Sequence, residues 1–194
     1  MKSITFLLVF CLVVFTGCKT SRPIAEVNTS VSQKPESMTD NTHKDANFSE
    51  QSTWLLGYFN PVQLKREPHS VWFYNGYDGY RPNAETLNSL NGIDREGVTI
   101  KIVLGTWCPD SRREVPRFMK VIDIWNFPSD LLTFIGVDNE KNSPIGGYEE
   151  LNIQRVPTFI IYKNNIETGR IIENPVTSLE QDMVGILGGI KNTK

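Results

Sequence analysis

The junction that follows Val98–Leu104 constrains this chain more than any other feature. Val98, Ile100, Ile102, Val103 and Leu104 predict a buried strand over 98–105, because β-branched side chains fit a pleated, covered surface. A helical spacing then takes over. Val115, Phe118, Met119 and Ile122 fall at i, i+3, i+4 and i+7, which predicts an amphipathic helix over about 109–125 packed on a sheet. Between the two lies Thr106-Trp107-Cys108-Pro109-Asp110-Ser111, so one thiol stands at a strand-to-helix turn. Val156, 48 residues after Cys108, opens a second signal, Val156-Pro157-Thr158, which heads another β-rich run, Phe159–Tyr162.

The flanking segments extend the pattern. Val71–Tyr74 reads as a strand followed by Asn75-Gly76 and Asp78-Gly79 turns, and 83–90 as a helix with Pro82 in its first turn and Gly92 at its end. Residues 51–69, with Trp54, Leu55, Leu56, Tyr58 and Phe59, predict a short apolar helix and a turn on the core. Leu131–Val137 predicts a further buried strand, 148–151 a short helix, and 158–163 with 166–173 a hairpin turning at Asn164-Asn165. A last helix over about 178–187 puts Leu179, Met183, Ile186 and Leu187 on one side, with Ser178 as its N-cap. Pro116 removes one donor from the helix after Cys108 and predicts a kink there. The expected order, βαβαβαββα, gives an α/β protein with a mixed sheet covered on both faces.

Three of these features taken together, the Trp107-Cys108 pair, Pro116 eight residues after the cysteine, and Val156-Pro157-Thr158, resemble the thioredoxin family over roughly residues 70 to 190. The resemblance implies a thioredoxin-like three-layer α/β/α sandwich with a mixed central sheet. It also implies that Cys108 caps a helix and that the bond before Pro157 is cis and faces the sulfur. Val156 and Pro157, with Trp107, would then form the substrate-binding edge, pairing with an extended segment beside Cys108. Cys108, Ser111, Trp107 and Asp110 are the catalytic set that the resemblance suggests. The family's second cysteine would fall at 111, where this chain has Ser111, so the motif is Cys-x-x-Ser. The family's buried acid and its lysine partner correspond here to Ile102 and Phe134.

A thiol attacks as thiolate, and a helix N-terminus favours that form. Asp110 opposes it, while Arg112, Arg113 and Arg155 act in its favour. Ser111 could donate a hydrogen bond to the thiolate but cannot resolve a mixed disulfide, which would persist until an external thiol reductant arrives. Isomerisation or deglutathionylation, covalent trapping of clients, and peroxide reduction through a sulfenic acid are the chemistries open to such a site. A fold kept as a redox-silent binding or scaffold module is the alternative.

The N-terminus supplies context. Lys2, the apolar stretch Ile4–Phe15 and the small Gly17 before Cys18 read as a bacterial export signal over 1–17. Phe15-Thr16-Gly17-Cys18 resembles a lipoprotein cleavage box, which makes Cys18 the expected lipid anchor to a membrane of the cell envelope, with the domain outside the cytoplasm. Residues 18–50, rich in Ser, Thr, Asn, Lys and Glu, read as a flexible tether. Its 33 residues would average roughly 30 Å end to end. Residues 51–194 are then the thioredoxin-like domain with an N-terminal helical extension. Removal of 1–17 takes Cys11 away and acylation occupies Cys18, so Cys108 has no thiol partner in its chain. The expected partners are therefore exported thiol or disulfide proteins or low-molecular-weight thiols.

Loss of Lys2 leaves 19 basic against 22 acidic residues, a net charge of −3 that gives no reason to expect nucleic acid. His43 and His69 lack ligand-spaced neighbours, and Asp138, Asn139 and Glu140 form no cation loop, so neither a metal nor a cofactor is expected. The aromatic crowd at Trp54, Tyr58, Phe59, Trp72, Phe73, Tyr74, Tyr77 and Tyr80 reads as core packing before it reads as a sugar or peptide platform. Arg113, Arg117 and Lys120 read as a solvated helix stripe.

Overall fold

A computed structural model describes residues 46–189 of the chain. The leader, Cys18 and the tether up to residue 45 lie outside the described residues. Five strands and four helices follow one another as β1 (Gly57–Tyr58), α1 (Ser70–Gly79), α2 (Ala84–Asn91), β2 (Val98–Leu104), α3 (Pro109–Ile124), β3 (Leu132–Gly136), β4 (Thr158–Lys163), β5 (Ile166–Ile172) and α4 (Leu179–Leu187). The sheet order is β1-β3-β2-β4-β5. Only β2 and β3 run parallel; β1 joins β3, β4 joins β2 and β5 joins β4 antiparallel. The sheet is therefore mixed, with β2 at its centre. Ile102 and Phe134, where the resemblance would place an acid and a lysine, are register partners on β2 and β3, both buried.

Alternation along β2 divides the core in two. Ile100, Ile102 and Leu104 face one apolar cluster to which all four helices contribute: Phe73 from α1, Leu90 from α2, Phe118 and Ile122 from α3, Met183 from α4. Phe118 stacks on Phe159 of β4 with ring centroids 4.2 Å apart, a geometry that adds about 0.5–1.5 kcal/mol beyond area burial. Val103, Ile135 and Ile160 face the other way, into a smaller cluster covered by Tyr148, Leu151, Val156 and Cys108. The architecture is α/β, a mixed five-stranded sheet flanked by four helices with a single helical turn, Tyr148–Leu151, over the smaller cluster, and is compatible with a thioredoxin-like α/β/α sandwich.

Two stretches differ from expectation. Val71–Tyr74 is not a strand but the first half of α1, because the helical period brings Phe73 and Tyr77 together, stacked at 6.0 Å, and turns both towards α3. Tertiary packing here overrides an intrinsic β preference. The close fit of α1 to α3 depends on Gly76. A Cβ at that position would lie 2.5 Å from Cγ of Pro116, and α3 continues as one helix through that proline. Residues 51–69 do not form an apolar helix either. They make two short helical turns, 51–53 and 61–65, on either side of β1, which adds the outer strand beside β3. Asn60-Pro61 starts the second turn, with the Asn60 side chain accepting from the Val62 N–H at 2.9 Å. Pro82 precedes α2 rather than entering it, and Asn83 caps that helix by accepting from Thr86 N–H at 2.9 Å.

Ordered packing also begins earlier than the expected tether boundary at residue 50. Trp54 Nε1 donates to the Phe48 carbonyl at 2.9 Å, and the Phe48 ring lies 5.8 Å from that of His69. The aromatic crowd is mostly core lining, with Phe73 buried and Phe59, Trp72, Tyr77 and Tyr80 packed at its margin, while Tyr58 and Tyr74 stay exposed. No helix among the described residues is long and apolar enough to cross a membrane.

Candidate functional site

Strand β2 ends at Leu104, and the three residues Gly105, Thr106 and Trp107 turn the chain into α3. Gly105 allows that turn to close on itself, because a Cβ there would lie 2.5 Å from the Trp107 indole. The indole is pinned by its N–H, which donates to the Val137 carbonyl at 3.0 Å. Thr106, fully buried, donates its hydroxyl to the Thr53 carbonyl and accepts from the Leu55 N–H, each at 3.3 Å, and so staples the N-terminal strap to the turn. Its spacing from any other polar residue gave no sequence signal for this part.

Cys108 occupies the N-cap position of α3 in an extended conformation. Its side chain does not cap the helix. The thiol instead donates to the Val156 carbonyl at 3.4 Å, and the Val156–Pro157 bond is cis. Cys108 and Val156, 48 residues apart, are thus brought into direct contact. The sulfur sits among apolar side chains and Cys108 is 7% exposed. The Val156 N–H has no hydrogen-bond partner among the described residues, whereas its carbonyl is taken by the thiol. Of the expected peptide-pairing edge, then, one group is open and one is occupied.

Ser111 does not do what its place in the motif suggests. It is fully buried, and its Oγ accepts from the Gly105 N–H at 3.3 Å, which ties the first turn of α3 back to the end of β2. No hydrogen bond joins Ser111 to Cys108 among the described residues. Accepting that bond makes it a brace for an otherwise unpaired amide and leaves its own O–H proton to donate.

The charges near the thiol are largely matched to one another. Arg113 pairs with Asp110 and with Glu114, both at 2.7 Å, and also reaches Asn174; Arg155 pairs with Glu173 at 2.9 Å. Neither arginine is therefore a free cation beside the sulfur, nor Asp110 a free anion. Glu114, almost wholly buried, also accepts from Arg117 at 3.0 Å, while Arg117 lies 5.7 Å from the Tyr80 ring and Lys120 5.3 Å from the Tyr77 ring. Of the stripe expected to be solvated, Arg117 and Lys120 reach across to the Tyr80 and Tyr77 rings at α1, while Arg113 stays with carboxylates of α3 and with Asn174. Arg112 differs. It makes no ion pair among the described residues and stands over the Phe48 ring at 4.5 Å.

One polar group in the thiol's apolar cluster had no sequence signal. Tyr148 is 7% exposed, its hydroxyl has no partner among the described residues, and burial first, then the charge of Asp138, push its pKa up to about 12. It remains a neutral phenol. No cluster of three or more His, Cys, Asp or Glu among the described residues is placed to hold a metal ion.

No protein-family model and no curated protein matches the chain. Among solved structures, a 1.5 Å crystal structure of a protein of unknown function from Pseudomonas aeruginosa is similar at 13% identity, over 62% of this chain and 80% of that one, with a TM-score of 0.43.

Proposed function

We propose that the protein is a membrane-tethered, thioredoxin-like thiol-disulfide exchange protein acting through Cys108 alone. The observation that carries this reading is the placement of the thiol at the start of α3, directly against the carbonyl of Val156, the residue before Pro157. An incoming disulfide RS–SR′ would be attacked by the Cys108 thiolate. The Cys108–SR bond forms, the S–S bond breaks, and R′S⁻ leaves with the electron pair. The Cys108 proton passes to solvent, and R′S⁻ takes up one from it. The Cys108 sulfur is oxidised and R′S reduced. With Ser111 unable to attack, a second, external thiol must cleave the mixed disulfide and regenerate Cys108. Attack needs the Cys108–Val156 hydrogen bond to break, which frees both the sulfur and the carbonyl for a partner. Export through the leader and anchoring at Cys18 complete the proposal and would bring the domain to exported thiol proteins at a membrane surface.

The test is the alkylation rate of Cys108 in the full chain at neutral pH, read by mass on the peptide that contains it. Faster labelling in the folded than in the urea-unfolded chain, together with a trapped mixed disulfide, is the expected result. Slower labelling when folded would overturn the exchange reading.

The second reading is a redox-silent module that keeps the fold for binding. What favours it is the same thiol's low exposure and Ser111's engagement with Gly105. Under that reading Cys108→Ser would leave partner binding and cellular function intact.

A further inference from the structure

On the surface beside the thiol turn, an open cleft of about 610 Å³ is lined by Phe48, Gln51, Trp54, Trp107, Arg112 and Asn139. Its two indoles lie with ring centroids 6.2 Å apart, tilted by 52° to one another. Both indole N–H groups are already bound, Trp107 to Val137 and Trp54 to Phe48, so the cleft is offered ring faces rather than indole donors. The free donors are elsewhere. The Arg112 guanidinium and the Gln51 and Asn139 amides make no side-chain hydrogen bond among the described residues. The other two arginines of α3 are each paired with a carboxylate, and no acidic residue among those described lines the cleft. An unmatched guanidinium beside open aromatic faces suits a carboxylate joined to an apolar or planar group.

Position relates this cleft to the sulfur. The Arg112 N–H bonds to the Cys108 carbonyl, one turn back along α3. Cys108 is the N-cap and Arg112 the fourth residue of α3, so the two lie one helical turn, about 5.4 Å along the axis, apart. An extended peptide advances about 3.3 Å per residue, so a chain whose cysteine reaches Cys108 would set a side chain about two residues away over Arg112. A small-molecule pocket would enclose most of its ligand; this cleft is open to solvent, which suits a segment of a larger chain.

We propose that the cleft binds an acidic, extended peptide segment, with an Asp or Glu carboxylate on Arg112 and a neighbouring side chain on the faces of Trp54 and Trp107. The partners of Cys108 are then proteins with an acidic residue close to the reacting cysteine. That last step rests on the exchange reading; the binding itself does not.

The experiment titrates the full chain with two synthetic ten-residue peptides, following tryptophan fluorescence. Each carries S-methylcysteine in place of cysteine, so that no exchange occurs, and they differ only in Glu or Gln two residues away. The Glu peptide is expected to bind about tenfold more tightly, with the preference lost in Arg112→Gln and partly kept in Arg112→Lys. Equal affinity for the two peptides, or a preference that survives Arg112→Gln, overturns the proposal. So does absence of binding by either, as when a segment of the same chain or a second copy fills the cleft. Thermal unfolding of each variant separates a lost site from a lost fold. Mixed-disulfide formation with the same peptides, their cysteine now unmethylated and joined as a disulfide to a small thiol that leaves as thiolate when Cys108 takes the peptide sulfur, is measured in parallel and tells the two proposals apart: selective binding without exchange removes the exchange reading and leaves the cleft, and exchange without selectivity does the reverse.

Discussion

The Cys108 thiol and the Val156 carbonyl meet at 3.4 Å, joining the first residue before α3 to the cis bond before β4. That contact holds two distant parts of the chain together and fills the smaller apolar cluster at the same place. It also sets what a conservative change at Cys108 should do.

Serine at 108 keeps a donor for the Val156 carbonyl and nearly the same volume. A thiol hydrogen bond is weak, so Cys108→Ser should shift stability by no more than about 1 kcal/mol. Any thiol chemistry should vanish completely. Chemical denaturation and mixed-disulfide trapping on the same samples check both halves. A large stability loss would show that the sulfur is held chiefly as a core-filling group.

The contact between Gly76 and Pro116 makes a sharper structural prediction. In an isolated helix Gly→Ala would stabilise α1 by about 0.8–1.0 kcal/mol. Here the new methyl would meet the proline ring 2.5 Å away, and overpacking of that kind costs about 1–3 kcal/mol. Gly76→Ala should therefore destabilise, and Pro116→Ala added to it should restore more stability than the two single changes predict. A double-mutant cycle by urea unfolding reads the coupling; additive effects would mean that α1 and α3 adjust freely.

Asp182, 3% exposed, accepts from the Val176 N–H at 2.6 Å, the Thr177 N–H at 3.2 Å and the Thr177 hydroxyl at 2.8 Å. It fixes the loop that leads into α4. Asp182→Ala leaves these donors without their acceptor and should cost about 2–4 kcal/mol, at the upper end of single hydrogen-bonded sites. Asp182→Asn keeps an acceptor and should cost less. Equal losses would place the effect in the negative charge at the helix start rather than in the hydrogen bonds.

Periodicity made β2, α3, β3, the β4–β5 hairpin and α4 legible because each carries its own apolar repeat and ends at residues suited to stopping it, such as Ser178, whose side chain accepts from Gln181 N–H. The meeting of Cys108 with Val156 was also within reach, through the two proline-bearing motifs. What could not be read were the contacts made across elements. Trp72, Phe73 and Tyr74 suit strand and helix alike, and the packing of Phe73, Tyr77 and Gly76 against α3 decides between them. Ser111's engagement with Gly105, Glu114's burial between Arg113 and Arg117, and the Thr106 staple all depend on how close separate backbones come. Spacing along one chain carries no trace of them.

His69 gives the pH prediction. It is 3% exposed, with its ring near Phe48 and Trp72 and its Nδ1 unpartnered. Burial lowers its pKa below the usual histidine value, and the nearby Glu67 offsets this only in part. A lowered value means that, between it and the ordinary 6.5, the unfolded chain binds the proton and the folded chain does not. Stability from this group is therefore complete above about pH 6.5 and declines as pH falls towards the lowered folded value. The midpoint of thermal unfolding should drop between pH 7 and pH 5.5, and the drop should be smaller in His69→Phe, which cannot take up the proton. Because Phe48 packs on His69 and also lies under Arg112, protonation should loosen the strap first. Amide exchange at residues 47–55 should then rise on acidification in the wild type while the central strand β2 stays protected. Equal pH dependence in wild type and His69→Phe would assign the effect to carboxylates elsewhere.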